Sequence, residues 1–237
     1  MNPSVVHGEL TISGVTVLAT SRHGGVSIAP FDSLNLGSHV GDDEHAVDIN
    51  LDRVRSASSA QRLAIMQPEH GAVVHVATHE GLMPAGDGLV TATPGLGIVT
   101  LSADCVPVAL VERNAQRVGV FHAGWKGVLA DVATATVHAM TSLGANVHDL
   151  VAVIGPHICP DCYEVSQDRV AMFAAHSAEA VADSRHLDLG AGVAAQLVAC
   201  GVEVQHIPGC TFENPDLFSY RRDAITGRNG LVVVIPS

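Results

Sequence analysis

The chain reads as a single α/β domain of mixed β-sheets flanked by helices, and three features predict that class. Apolar, β-branched stretches of strand length recur from one end to the other. Segments with helical spacing lie between some of them. No Pro/Ser-rich linker, charge block, low-complexity tract or repeat divides the 237 residues, so one domain over 1–237 is the simplest partition.

The predicted strands are Val15–Thr20, Ala72–Ala77, Gly97–Leu101, Val106–Val111, Arg117–His122, Leu150–Ile154, Val202–Ile207 and Leu231–Ile235. The clearest helix places Leu129, Val132, Thr136, Met140 and Leu143 on one face, begins near Lys126 and stops at Gly144. A second runs from Asp43 to Leu63 with Asp42 or Asp43 as N-cap. Shorter ones span Gln167–His176 and Gly190–Cys200. Residues Gly97–His122 hold three strands with no room for a crossover helix, so antiparallel or mixed pairing is expected there.

Composition removes several function classes. A formal net charge of −12 leaves no global positive field for a nucleic-acid backbone, and polymeric DNA or RNA is not an expected partner. No apolar run approaches the roughly 20 residues of a membrane span, so no membrane partner is expected either. The first ten residues lack a basic region followed by a sustained apolar core, and the five cysteines are odd in number; both point to reduced thiols in a cytoplasm. A G-x-x-x-x-G-K-[ST] loop and a G-x-G-x-x-G turn in strand-to-helix context are both missing. Fourteen histidines against twelve Lys and Arg are an unusual balance, and neutral imidazole near pH 7 ligates metals or moves protons.

The most informative stretch is Ser102-Ala103-Asp104-Cys105-Val106-Pro107, followed by Val120-Phe121-His122-Ala123-Gly124-Trp125-Lys126-Gly127. Cys105 and His122 both fall at predicted strand ends. A thiolate and an imidazole at neighbouring strand ends share a tetrahedral metal or pair as nucleophile and base, and the residues alone do not choose. A buried thiol beside a satisfied histidine is the plainer alternative. Lys126 opens a helix, where an anion is favoured; a solvated lysine fits the same position. Arg221, Arg222 and Arg228 form the densest positive patch, and Arg22 lies beside two glycines that allow close backbone approach. His75 and His79 have helical metal-pair spacing but sit in or just past a strand, where that spacing does not converge, so they read as surface residues. Cys159-x-x-Cys162 lacks a second such pair and reads as structural, Cys210 has no obvious partner, and Cys200 falls on a helix face.

These segments also carry a resemblance. Thr20-Ser21-Arg22-His23-Gly24-Gly25-Val26-Ser27, Ser33-Leu34-Asn35-Leu36-Gly37 with Val40-Gly41-Asp42, and His70-Gly71 come first. The Asp104-Cys105 and His122-Ala123-Gly124-Trp125 segments follow, then Ile154-Gly155-Pro156 with Cys162-Tyr163-Glu164-Val165, and Phe218-Ser219-Tyr220-Arg221-Arg222-Asp223 with Thr226-Gly227-Arg228. Together they resemble the laccase-domain family, also described as multicopper-polyphenol-oxidase-like, whose members are regarded as zinc-binding purine nucleoside phosphorylases. The resemblance implies a laccase-domain-like (cytotoxic-necrotizing-factor-like) fold. It also implies phosphorolysis of adenosine, guanosine, inosine and S-methyl-5'-thioadenosine to free base and (methylthio)ribose 1-phosphate, with adenosine deamination at the same site.

By that resemblance the metal ligands are His70, Cys105 and His122, with Zn2+ as cofactor and copper as the alternative. Three protein ligands and one open place suit a catalytic ion. The catalytic set is then His70, Cys105, His122 and Asp104. Arg22, Asn35, Lys126 and Arg221 are the expected contacts for a small-molecule nucleoside and phosphate. Two departures stand out: Pro68-Glu69 replaces the family's usual Gln-Val before the first ligand, and Asn50 is followed by Leu51 where the family commonly has Asn-Arg. Other readings are a copper polyphenol oxidase, a peptidoglycan-precursor amidase with Cys105 as nucleophile and His122 as base, and a zinc-stabilised interaction module. The oxidase needs a much larger set of placed histidines.

Overall fold

The computed structural model describes residues 4–237. It opens with a hairpin of β1 (Val6–Ile12) and β2 (Val15–Thr20), and α1 (Glu44–Ala57) follows a long connection. The Asp43 carboxylate caps α1 by accepting from the Ala46 N–H at 2.8 Å. The expected helix to Leu63 stops six residues early, with Ser58 as C-cap and Ser59 in the left-handed region. The apolar run beyond is β3 (Arg62–Gln67), whose buried Leu63-Ala64-Ile65-Met66 core gains more in a sheet than on a solvated helix face.

Short strands β4 (Val74–Val76), β5 (Gly81–Ala85) and β6 (Gly88–Thr91) lead to the fully buried β7 (Leu96–Ser102), β8 (Val106–Glu112) and β9 (Val118–Ala123). Next come α2 (Trp125–Leu129) and α3 (Val132–Ser142), which the sequence reads as one helix. Asp131 separates them: it takes left-handed φ and ψ of 56° and 51°, and its carboxylate accepts from the Thr134 N–H to cap α3. The remainder is β10 (Leu150–Ile154), α4 (Gln167–His176), α5 (Leu189–Ala199), β11 (Glu203–His206), α6 (Tyr220–Asp223) and β12 (Asn229–Val234).

Two six-stranded sheets result, ordered β1-β2-β12-β7-β3-β5 and β11-β10-β8-β9-β6-β4. Both are mixed: β3 runs parallel to β7 and β5, β10 parallel to β11, and β4 parallel to β6, while the other neighbours are antiparallel. Of the three strands in Gly97–His122, β8 and β9 pair antiparallel, but β7 belongs to the other sheet. The chain therefore crosses between sheets at Ala103–Cys105, which places Cys105 at the seam.

Strand alternation divides the core into three layers. Val17, Ile98, Val111, Val120, Val151 and Leu231 pack between the sheets. Val108, Leu110, Phe121, Val137, Met140 and Val193 pack the second sheet against α3 and α5. Leu34, Val54, Leu63, Val99 and Val232 pack the first against α1. Strands covered on both faces have no need of polar alternation, which is why β7 and β8 are almost continuously apolar. No helix among the described residues is long and apolar enough to cross a membrane.

Candidate metal centre and cleft

His122 shares the parity of Val118 and Val120 on β9, so its ring points between the sheets at the strand's C-terminal end. In the β8–β9 register it lies opposite Pro107, two residues past Cys105. His70 comes from the loop after β3, where its φ of 64° turns the side chain toward the same point. The ligand atoms of His70, Cys105 and His122 all lie within 4.8 Å of one another. The two imidazoles meet edge to face with centroids 4.9 Å apart.

One buried carboxylate sets this geometry. Asp87, between β5 and β6, accepts from the backbone N–H of His70 at 2.9 Å, of Gly71 at 2.6 Å and of Glu69 at 3.3 Å. Its Oδ1 also accepts from His122 Nδ1 at 2.9 Å, and its carbonyl accepts from the His122 backbone N–H. A carboxylate can only accept here, so the proton sits on His122 Nδ1 and Nε2 is free to face an ion. Burial pushes the Asp87 carboxyl up, and the bonds from His122, Gly71 and His70 outweigh it, leaving it below its ordinary value. The signal for Asp87 in the sequence is an acid between two glycines, Gly86-Asp87-Gly88, in an otherwise apolar run.

Gly124 completes the constellation. A Cβ there would meet His70 Cδ2 at 2.8 Å and Cys105 Sγ at 3.1 Å, so the His122-Ala123-Gly124-Trp125 segment needs a residue without a side chain. In the metal-free protein, burial pushes the Cys105 thiol up, but His122 and then His70 pull it down to about 6. Burial lowers His122, and the Cys105 charge and the Asp87 bond raise it to about 9. The pair is thus a thiolate and an imidazolium near neutral pH. Two nitrogens and a thiolate at this spacing match a three-ligand zinc site, where ligand distances of roughly 2.0–2.3 Å leave one tetrahedral position open.

The three side chains line a cleft of about 360 Å3, within the range of roughly 300–1,000 Å3 for small-ligand sites. Arg228, His39 and Tyr220 line it alongside His70, Cys105 and His122, with Ser102 and Pro68. Buried Asn35 holds Arg228 in place: its Oδ1 accepts from the Arg228 N–H and the Gly37 N–H, both at 2.9 Å, and its amide donates to Asp42 and to the Gly37 carbonyl. Burial, and then the charge of Arg228, lower His39, so that imidazole is neutral at pH 7. The local cue for Arg228 was its place in the C-terminal arginine patch; nothing in the sequence marked His39.

The four residues expected to contact nucleoside and phosphate lie outside the lining of this cleft. The Arg22 guanidinium stacks over Phe218 at 4.8 Å, donates to the Asp32 carbonyl and pairs with Asp32 and Asp223. Asn35 is a buried support, Lys126 is exposed over Trp125, and Arg221 lies over Tyr163 and donates to the Glu164 carbonyl. None of the four lines the cleft. Asp104 adjoins Cys105, but its carboxylate is occupied by Thr211 and Ser219 hydroxyls at 2.6 and 2.7 Å and by the Arg221 N–H at 2.6 Å. With a φ of 95° it shapes the crossing between sheets. Glu69 contributes its backbone N–H to Asp87, while Pro68 lines the cleft. Asn50 is buried and bonded to Val26, Ser27, Ser33 and Asn35, and Leu51 packs on the α1 core. His75 and His79 bond the carbonyls of Ala85 and Glu80 and belong to no metal-type cluster among the described residues.

Comparison with known proteins places the chain in a family. The family described as multi-copper polyphenol oxidoreductase laccase matches residues 16–236. A purine nucleoside phosphorylase of Streptomyces coelicolor is 41% identical over 228 residues, 92% of this chain and 94% of the relative. One from Deinococcus radiodurans is 39% identical over 224 residues, 92% and 88% of the two chains. Among solved structures, a Neisseria meningitidis protein superposes with a TM-score of 0.85 at 32% identity, covering 97% of this chain and 99% of that one. YlmD from Geobacillus stearothermophilus gives 0.85 at 28% identity, covering 99% and 100%. The chain belongs to the multi-copper polyphenol oxidoreductase laccase family.

Proposed function

We propose that the chain is a zinc-dependent purine nucleoside phosphorylase. It would cleave adenosine, guanosine, inosine and S-methyl-5'-thioadenosine with phosphate to the free base and (methylthio)ribose 1-phosphate, and also deaminate adenosine. The observation that carries this reading is the cleft itself. Two imidazoles and a thiolate converge in it, and Arg228, whose backbone a buried asparagine holds and whose guanidinium donates from one nitrogen to the Thr226 and Gly227 carbonyls, stands among the other lining residues, a pairing suited to one neutral and one anionic reactant. Relatives about 40% identical over nearly the whole chain bear the name purine nucleoside phosphorylase.

When bound, zinc would be held by His70, Cys105 and His122 and would supply a Lewis acid. Asp87 keeps His122 Nδ1 protonated and both histidines aimed. Arg228 holds phosphate through charge-assisted hydrogen bonds. Neutral His39 is placed to accept a proton from the incoming anion, and exposed Tyr220 offers a ring on which a base can stack at the mouth. In phosphorolysis a phosphate oxygen bonds to the anomeric carbon as the glycosidic bond breaks, and the purine leaves with that electron pair and takes up a proton. Orientation of the two reactants is the fold's main contribution. For deamination, water adds to the amino-bearing carbon of adenine and ammonia departs.

The assay is zinc-loaded protein with phosphate and inosine or adenosine, analysed by chromatography. Hypoxanthine or adenine with ribose 1-phosphate is expected, plus inosine from adenosine; formation of neither adenine nor inosine from adenosine refutes the proposal. Losing charge-assisted bonds of about 1.5–3 kcal/mol in Arg228→Ala should raise the phosphate KM roughly 10- to 150-fold. Arg228→Lys should recover only part, because an ammonium cannot bond bidentately.

The thiolate–imidazolium pair favours one second reading, amide hydrolysis with Cys105 as nucleophile in metal-free protein. It predicts a covalent adduct on Cys105 from an electrophilic amide after chelation. A copper polyphenol oxidase is poorly matched: the other metal-type cluster among the described residues consists of three cysteines.

A further inference from the structure

Cys159 caps and Cys162 ends a short 3-10 turn (Pro160–Cys162) that follows β10, and Cys210 lies in the loop after β11. The sequence reads the first two as structural and leaves Cys210 alone, whereas the fold brings all three together with their sulfurs within 4.8 Å of one another. The segments are zipped by backbone bonds from His157 N–H to the Gly209 carbonyl and from Thr211 N–H to the His157 carbonyl, both 3.1 Å. The Cys159 N–H donates to Cys210 Sγ at 3.3 Å, which favours a thiolate there. All three are free cysteines.

We infer that Cys159, Cys162 and Cys210 form a second metal site, a three-thiolate centre for a thiophilic d10 cation such as Zn2+. Three sulfurs bound at about 2.3 Å in tetrahedral array stand roughly 3.8 Å apart, so the cluster needs only small side-chain adjustments to close on an ion. Cys159 and Cys210 also line a cleft of about 440 Å3 together with His157, His206 and Asp188. His157 donates Nδ1–H to the Gly155 carbonyl at 2.8 Å and stands outside the three-sulfur cluster.

The role is that of a staple. Ile158, next to Cys159, donates its N–H to the Asp104 carbonyl at 3.0 Å, and Thr211, next to Cys210, donates its hydroxyl to the Asp104 carboxylate at 2.6 Å. An ion on the three thiolates fixes both segments that hold the residue before Cys105, and so supports the first centre from below. The inference does not depend on which reaction the first centre performs.

Purified, reduced wild-type protein titrated with zinc should bind two equivalents per chain. Cys105→Ala and Cys162→Ser should each bind one, and their combination none. Cobalt-loaded Cys105→Ala should keep the intense thiolate-to-cobalt charge-transfer absorption, since its remaining site has three sulfurs. The wild-type stoichiometry and the Cys105→Ala spectrum do not rely on the folding of any cluster variant. A single equivalent in wild type that Cys105→Ala abolishes, absence of the cobalt–thiolate band in Cys105→Ala, or a disulfide among the three cysteines in freshly isolated unreduced protein would overturn the site.

Discussion

Replacing Asp87 with asparagine tests whether one buried carboxylate positions the metal centre. Its Oδ1 serves His70 N–H and His122 Nδ1, and its Oδ2 serves Gly71 N–H and, more weakly, Glu69 N–H. An amide keeps one oxygen and turns the other into a donor. Whichever way it sits, an NH2 confronts N–H groups that need an acceptor. Loss of at least one charge-assisted bond costs about 1.5–3 kcal/mol, a substantial part of a typical stability of about 5–15 kcal/mol. Outer-shell replacements of this kind weaken metal binding roughly 10- to 100-fold. Zinc affinity by competition with a chromophoric chelator, together with urea unfolding of the metal-free protein, reads both effects. A folded Asp87→Asn variant with zinc affinity and unfolding midpoint equal to wild type would refute the positioning argument, because the bonds lost would then have set nothing.

Two further outcomes follow from the same geometry. Gly124→Ala puts a methyl 2.8 Å from His70 Cδ2 and 3.1 Å from Cys105 Sγ; overpacking of about 1–3 kcal/mol is relieved by moving exposed His70, so metal content should fall at least tenfold with little change in Tm, checked by metal analysis and calorimetry. In chelated protein, alkylation of Cys105 should have its midpoint near pH 6, against about 8.5 for an ordinary thiol, and His122→Ala should move it upward, read by mass spectrometry of the modified peptide. The sign is that of a depressed acid: the reactive thiolate persists down to the lowered value, and the stability the thiol adds to the metal-free fold is lost as pH falls through about 6, while that of the raised His122 imidazole is lost as pH rises through about 9. A midpoint at 8 or above in the unsubstituted protein would show that His122 does not hold the thiolate.

Much of the architecture could be read along the chain. Runs such as Val106–Val111 and Leu150–Ile154 are strands because apolar, β-branched residues covered on both faces leave little else for them to form. Asp43 announced its helix by its own carboxylate. The extension to Leu63 and the undivided Lys126–Leu143 helix failed for a common reason: periodicity does not register a single left-handed residue, Ser59 in one case and Asp131 in the other. The sequence anticipates β4 within Ala72–Ala77, whereas short strands β5 and β6 hold too few residues to show a period and exist because neighbours bring them into register.

The sequence by itself determined the residue types gathered at the seam, since a cysteine and histidines beside small residues at strand ends are recognisable wherever the chain goes. Tertiary structure decided which far-apart groups meet. It chose Arg228 over Arg22 for the cleft, gave Asp104 to the Thr211 and Ser219 hydroxyls, and brought Cys210 to Cys159 and Cys162. It also gave Asp87 its hold on both histidines. The physical reason is that a side chain's direction and partners come from sheet register and loop closure, which depend on contacts between residues distant along the chain, whereas its chemical character is fixed locally.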